Sequence, residues 1–393
     1  MSNLRNREIN QILQLDMKSI SQLLSLFMAV LLIPVISSSA QDFERTFSVS
    51  SGGELRLDLE TGGSVVITGW NRSEVEVKVY VRGRDDDELI LDIEELSNGV
   101  FIRTEFERRN SRADVEIEVM VPSVFDIDVE TTGGKINVTG VEGKLVGQTM
   151  GGELELRGLK GTIDFETMGG EIVLEDSDVN GRISTMGGEI TVIDVTGNVK
   201  ANTMGGDVSY SNVRQRSSSG RDAEVQISTM GGEITVDRAD YGADLETMGG
   251  EIHVGSAKDH VKVSTMGGEI SIGEIDGWVE ASTMGGEIEV NMVGDPNSGD
   301  RHVDLSSMGG DIVLTVPDGL SMDIEAEITV TRRHDMDEFE IRSDFDLRVE
   351  QTASSERRRR DDGLIVATGT VGSGKHRIRI KTTNGDITIR RGR

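Results

Sequence analysis

Nine acidic side chains stand at one position of a short phrase that recurs along this chain. The phrase is TMGG, then Glu or Asp, then Ile, Leu or Val. It begins at Thr149, Thr167, Thr185, Thr203, Thr229, Thr247, Thr265 and Thr283, with looser copies at Thr131 (TTGGKI) and Ser307 (SMGGDI). With the Thr as position 1, position 5 carries Glu153, Glu171, Glu189, Asp207, Glu233, Glu251, Glu269, Glu287 and Asp311. Carboxylates lined up in this way offer the several oxygens that Ca²⁺ prefers, so a weak calcium site is one reading of the ladder. A solvated acidic edge is the other, in which each neighbouring pair repels by a fraction to about 1 kcal/mol and so opposes end-to-end association. The GGxGxD repeat of calcium-binding β-rolls is absent. No other cofactor is expected.

Two further ranks could do chemistry. Position 2 is Met in nine repeats, from Met150 to Met308. Pointing inward it would fill a corner beside the glycines, as adaptable Met side chains do in cores. Pointing outward it would form an apolar ribbon of the kind that marks an interaction surface. The inward placement is expected. Position 14 carries His260, Trp278 and His302 in three successive repeats, which would set an indole between two imidazoles as a platform for a sugar ring. The spacing of 18 residues breaks twice at this same edge. The repeat from Thr203 runs 26 residues and holds RQRSSSGRDAE; that from Thr283 runs 24 and holds GDPNSGDRH. Loops on a rigid scaffold are common binding sites, so Arg214, Arg216 and Arg221 join the three rings as candidate ligand-binding residues.

No catalytic constellation emerges. Polysaccharide lyases and hydrolases need a distinguished acid and base in a groove, and here the carboxylates are evenly spaced. The stretch 369–375 fits G-x₄-G-K, but His376 replaces the required Ser or Thr, and HRIRIK after it alternates like a strand. The expected protein is not an enzyme.

The elements that must position these ranks follow from the other places in the repeat. In TMGGEITVIDVTGNVKAN, from Thr185, apolar residues occupy positions 6 and 8 and again 15 and 17, alternating with polar ones. Each repeat thus holds two short strands with one face inward. The Gly pair marks a corner that needs positive φ or close backbone approach. A fixed period near 20 residues signals coils that bury their apolar faces only against one another. The predicted fold is all-β: a single-stranded parallel β-helix, or β-solenoid, of 18-residue coils, right-handed by preference, with β-rich end caps. Its expected divisions are a signal peptide over 1–40, an N-terminal β cap with first coils over 41–130, the solenoid over 131–316, and a C-terminal cap over 317–393 with a mobile charged loop around Arg357 to Arg360. GGSVVITGW from Gly62 and NGDITIRRG from Asn384 read as worn copies of the repeat.

The leader is read from an apolar run between Leu23 and Ile36, preceded by Lys18 and followed by Ser38, Ser39 and Ala40. No later segment is long enough to cross a bilayer as a helix, so no transmembrane segment is expected after cleavage. The chain has no Cys, which removes disulfides and thiolate metal sites. Its formal charge of −29 argues against nucleic acid and anionic membrane as partners. These features predict export to the periplasm, the outer surface or the medium, with a cell-surface protein or polysaccharide as partner and the oligomeric state open.

The leader, the strands in DVEIEVMVPSVFDIDVETTGGKINV, the T-x-G-G-E-I phrases and the closing RIRIKTTNGDITI together resemble the bacterial putative-adhesin family of β-strand-repeat proteins of unknown function. The resemblance runs from about Phe43 to Arg393. It implies a β-helical, extracytoplasmic protein and carries over no catalytic residue. The near-uniform TMGG phrase is more regular than that family's pattern, which points to recent duplication.

Overall fold

The computed structural model describes residues 41–83, 88–108, 111, 113–216, 224–352 and 362–392. The expected leader, Arg221 and the charged loop around Arg357 to Arg360 lie outside the described residues. Asp42–Arg393 form one compact unit. It is all-β, its 31 strands joined in one mixed sheet, with a short 3₁₀ turn at Met336–Glu338.

Alternation builds the ladders. Position 6 pairs in parallel from repeat to repeat, Leu154 with Ile172, then Ile190, Val208, Ile234, Ile252, Ile270, Ile288, Ile312 and finally Ile387. At the other end Leu154 pairs with Ile136 and Ile136 with Val65, so both worn copies stack on the regular repeats. Positions 6, 8, 11, 15 and 17 are buried throughout, as with Ile190, Val192, Val195, Val199 and Ala201. Their neighbours face solvent. Because side chains alternate with period two, any slip of one residue would turn this apolar set outward.

The sheet is not parallel throughout, as the sequence led one to expect, but mixed. Four pairings run antiparallel, and they flank the regular repeats. Glu74–Gly83 folds back on Ala113–Pro122, and Leu89–Leu96 on Gly99–Phe106. Near the C-terminus, Gly363–Val371 pairs antiparallel with both Met322–Val330 and Arg348–Thr352. A parallel stack that simply stopped would present bare N–H and C=O groups. Hairpins cover them. The Arg348–Thr352 strand is exposed along its whole length and carries Arg348 and Glu350, charges that discourage a further strand.

The corner of the TMGG phrase reverses the expected Met placement. Met150 through Met308 are exposed and the Thr rank is buried. Backbone hydrogen bonding is the reason. The hydroxyl of Thr185 donates to the Gly170 carbonyl of the preceding repeat (2.9 Å) and accepts from the Gly188 N–H of its own (3.2 Å). The same two bonds recur at Thr167, Thr203, Thr229, Thr247, Thr265 and Thr283. At the turn these glycine groups leave the strand ladder, and a buried polar group without a partner costs about 1–3 kcal/mol. A thioether cannot supply both bonds; a hydroxyl can. Ser307 does the same by donating to Gly286 and accepting from Gly310.

The two glycines differ in what they require. A Cβ on Gly188 would lie 1.9 Å from the Gly170 carbonyl oxygen, so close stacking forbids any side chain there. Gly187 has only ordinary contact at 3.9 Å. Position 10 holds a second constraint, since Asp176, Asp194 and Asn212 take left-handed φ of 50–55° where Gly140 and Gly158 precede them. From the Thr229 repeat onward this bend is gone. Ile252–Ser264 and Ile270–Thr283 run through it as single strands.

Candidate functional site

Three places bring chemistry-bearing side chains together. The first is the acid rank. Every position-5 carboxylate from Glu153 to Asp311 belongs to an exposed residue. Among the described residues no group of three or more His, Asp or Glu side chains converges in a way that could hold a metal ion. The two aspartates act on the backbone instead: Asp207 accepts the N–H of Glu233, and Asp311 that of Asp386, each at 2.8 Å. Cations close both ends of the rank. Lys135, at position 5 of the first copy, lies 3.5 Å from Glu153 and hydrogen-bonds Glu155, which holds its ammonium above the usual lysine range. Arg342 bridges Asp386 (3.4 Å) and Glu340 at the far end.

The second place is the edge at position 14. His260 and Trp278 stack with centroids 5.0 Å apart and planes 15° from parallel; Trp278 and His302 stack at 4.9 Å and 12°. In-register parallel pairing sets this spacing, His260 opposite Trp278. Both faces of the indole are therefore covered by imidazoles, which removes Trp278 as the face-on sugar platform expected from its spacing. Ring edges and the outer side of His302 remain. Glu224, at the end of the first inserted stretch, reaches across Gly242 to His260 Nε2 at 2.9 Å. A Cβ on Gly242 would fall 2.2 Å from the His260 ring, so this glycine opens the space for the contact. At the other end His302 Nδ1 lies 3.1 Å from Asp300, and this hydrogen bond is the first cause holding the Asp300 carboxyl below its usual range. The candidate arginines of the first insertion fall elsewhere. Arg216 pairs with Asp178, and Arg214 is exposed with its N–H on the Val195 carbonyl.

The third place went unread in the sequence. Arg301, within the second insertion, is buried. Its guanidinium donates to the carbonyls of Val293 (2.6 Å) and Ser298 (3.0 Å) and to Asp276 (2.5 Å), tying the loop to the preceding repeat. Its backbone N–H donates to Nδ1 of buried His376 at 3.3 Å. Burial first, and then the Lys375 ammonium, holds His376 below the usual histidine range. An arginine flanked by aspartates looks like a surface residue in sequence; nothing signals that its partners are carbonyls.

The G-x₄-G-K stretch does not open a helix. It ends the strand Gly363–Val371 and turns into the strand His376–Thr383. A depression of about 580 Å³ lies where the first worn copy meets the regular repeats, walled by Thr61, Gly63, Tyr80, Arg82, Asp114 and Glu116 among others. No described helix is long and apolar enough to cross a membrane.

No family model matches the sequence, and no curated protein does. Solved structures give distant likenesses. A structure named as a putative adhesin from Parabacteroides distasonis is 14% identical over 70% of this chain and 97% of its own, with a TM-score of 0.33. One named as a putative cell adhesion protein from Clostridium sporogenes is 8% identical over 90% and 100%, with a TM-score of 0.18. A third, named as a putative lipid binding protein from Parabacteroides distasonis, is 13% identical over 70% and 96%, at 0.26. Superpositions at these scores carry no argument about what this chain does.

Proposed function

We propose that this is a non-enzymatic, exported, adhesin-like protein of the cell envelope, a β-solenoid whose 18-residue coils act as scaffold and whose position-14 edge binds a surface polysaccharide or protein. The observation that supports this is the chain of contacts Glu224, His260, Trp278, His302 and Asp300. It ties the end of one inserted stretch to the end of the other across three stacked repeats. The coils need none of these residues in order to stack, since the repeats before Thr203 do without them. The edge is thus where the chain carries structure beyond what its scaffold requires.

The test uses the mature chain against envelope extract and an array of surface polysaccharides. Three variants are compared: Trp278→Val, Glu224→Gln, and a deletion that returns the second insertion to an 18-residue coil. Binding should fall in all three while the circular dichroism spectrum stays that of a β protein. Undiminished binding in the deletion variant would overturn the assignment of the edge. Release of reducing or unsaturated sugar ends would overturn the non-enzymatic reading. Fractionation of cells carrying the full chain tests export, which predicts the protein outside the cytoplasm.

A further inference from the structure

We propose that the exposed methionine rank is a binding ladder for soft monovalent cations, the class of Cu(I) and Ag(I), with thioether sulfurs of neighbouring repeats as paired ligands. Three observations carry this. The first is placement. Met150 and Met308, at the ends of the rank, are 58% and 62% exposed, and the seven between them 44–50%. The inner side chains are more covered than the end ones, as when each lies against its neighbours along the line. The second is spacing. Parallel strands stand about 4.8 Å apart. A soft ion held by two sulfurs at roughly 2.3 Å each, the metal–sulfur length of protein sites, spans roughly 4.6 Å. Adjacent rungs therefore offer a sulfur pair at the right separation, and thioethers select such ions over hard ones.

The third observation is what has and has not drifted among the repeats. Solvent-facing position 7 holds Glu155, Val173, Thr191, Ser209 and His253 in different repeats. Position 16 holds Asp164, Arg182, Lys200, Gln226 and Glu280. These places changed after duplication because stacking leaves them free. Position 2 is equally unconstrained, being outside the core and taking no part in the Thr and Gly hydrogen bonds, yet Met stands there nine times. A requirement for sulfur explains the retention; a requirement for volume or helix or strand propensity does not. Both 26- and 24-residue repeats place their extra residues after position 11, so the rank continues past them, with Gly231 still stacked on Gly205. The acid rank, three positions along on the same turn, supplies a field that favours cations. The chain has no Cys, so the thioethers are its sulfur ligands.

Silver ion titrated into the full chain tests this without any redox step. Nine sulfurs taken two at a time hold about four ions. Two variants with equal numbers of substitutions separate paired ligation from simple methionine content. The alternate set, Met168→Leu, Met204→Leu, Met248→Leu and Met284→Leu, leaves no two sulfurs on adjacent rungs. The contiguous set, Met150→Leu, Met168→Leu, Met186→Leu and Met204→Leu, leaves five adjacent ones. The contiguous variant should keep about two tight sites. The alternate variant should bind about a hundredfold more weakly, having lost the intramolecular second ligand. Leucine keeps the apolar volume, and circular dichroism confirms that both variants are folded. Equal affinity in the two variants, or wild-type binding in a chain with all nine replaced by Leu, would overturn the proposal. Binding by that chain would assign the silver to the carboxylates.

Discussion

At the scale of single residues, the buried Thr rank shows how one hydroxyl decides a corner. Thr185→Val keeps the shape and removes both bonds, leaving the Gly188 N–H and one lone pair of the Gly170 carbonyl without their partner. A loss of about 2 kcal/mol is expected from the urea midpoint. Thr185→Ser keeps both bonds and loses one methyl, at about 1 kcal/mol. If Val proved no worse than Ser, the hydroxyl would not be what holds the turn. His376 makes a second residue-scale prediction. Its folded pKa lies below the unfolded value of 6.5, so the unfolded chain takes up the proton first. The stability it contributes is present above about pH 6.5 and is lost as pH falls through the folded pKa. Protonation at Nδ1 would also end its acceptance of the Arg301 N–H, while Asp300, 3.8 Å away, opposes the loss. Denaturant midpoints between pH 7.5 and 5 should therefore fall more steeply for the wild type than for His376→Gln.

At the scale of elements, two adjacent glycines should behave in opposite ways. Gly188→Ala drives a Cβ into the Gly170 carbonyl and should break the ladder locally, with a cost of several kcal/mol or failure to fold; Gly187→Ala meets open space and should change the melting temperature little. The second inserted loop hangs on Arg301, so Arg301→Ala should release it, raising hydrogen exchange at Ser298 to His302 and lowering stability by about 2 kcal/mol. Alternation made the two strands per repeat and their 18-residue register legible in sequence, because core and solvent faces impose a period of two. Equal spacing likewise made the His260, Trp278 and His302 stack legible. The Met placement was not, because hydrophobicity and alternation disagreed at that corner and the deciding hydrogen bonds are invisible in a pattern of apolar residues. Ser307 carried a usable signal, since it keeps the hydroxyl and drops the methyl. The series Gly140, Gly158, Asp176, Asp194 and Asn212 carried another, being residue types that tolerate left-handed φ. The hairpins at both ends could not be separated from further coils by alternation alone, since parallel and antiparallel strands share it.

At the scale of the whole molecule, charge and repetition set the behaviour. With a net charge of −29 and an acid rank at one turn, the fold works against its own repulsion. The melting temperature should rise as NaCl is increased toward physiological ionic strength, where the screening length is about 8 Å. Millimolar Ca²⁺ at matched ionic strength separates screening from binding: an additional rise would assign calcium to the ladder, and its absence would leave a solvated edge. Repetition makes a sharper prediction. Removing residues 167–184 takes out one complete repeat and leaves every ladder in register, so the shortened chain should fold with a similar spectrum. Removing residues 167–183 shifts all later side chains by one place and should prevent folding.

The Thr hydroxyls of the repeats all donate toward the N-terminal neighbour: Thr167 to Gly152, Thr185 to Gly170, Thr247 to Gly232 and so on to Ser307. A ribosome or export channel releases the chain in that same order. Each hydroxyl that must be buried thus meets an acceptor already delivered, and no turn has to wait for residues still to come. The stack can close behind the emerging chain one repeat at a time, a timetable written into the direction of a row of O–H bonds.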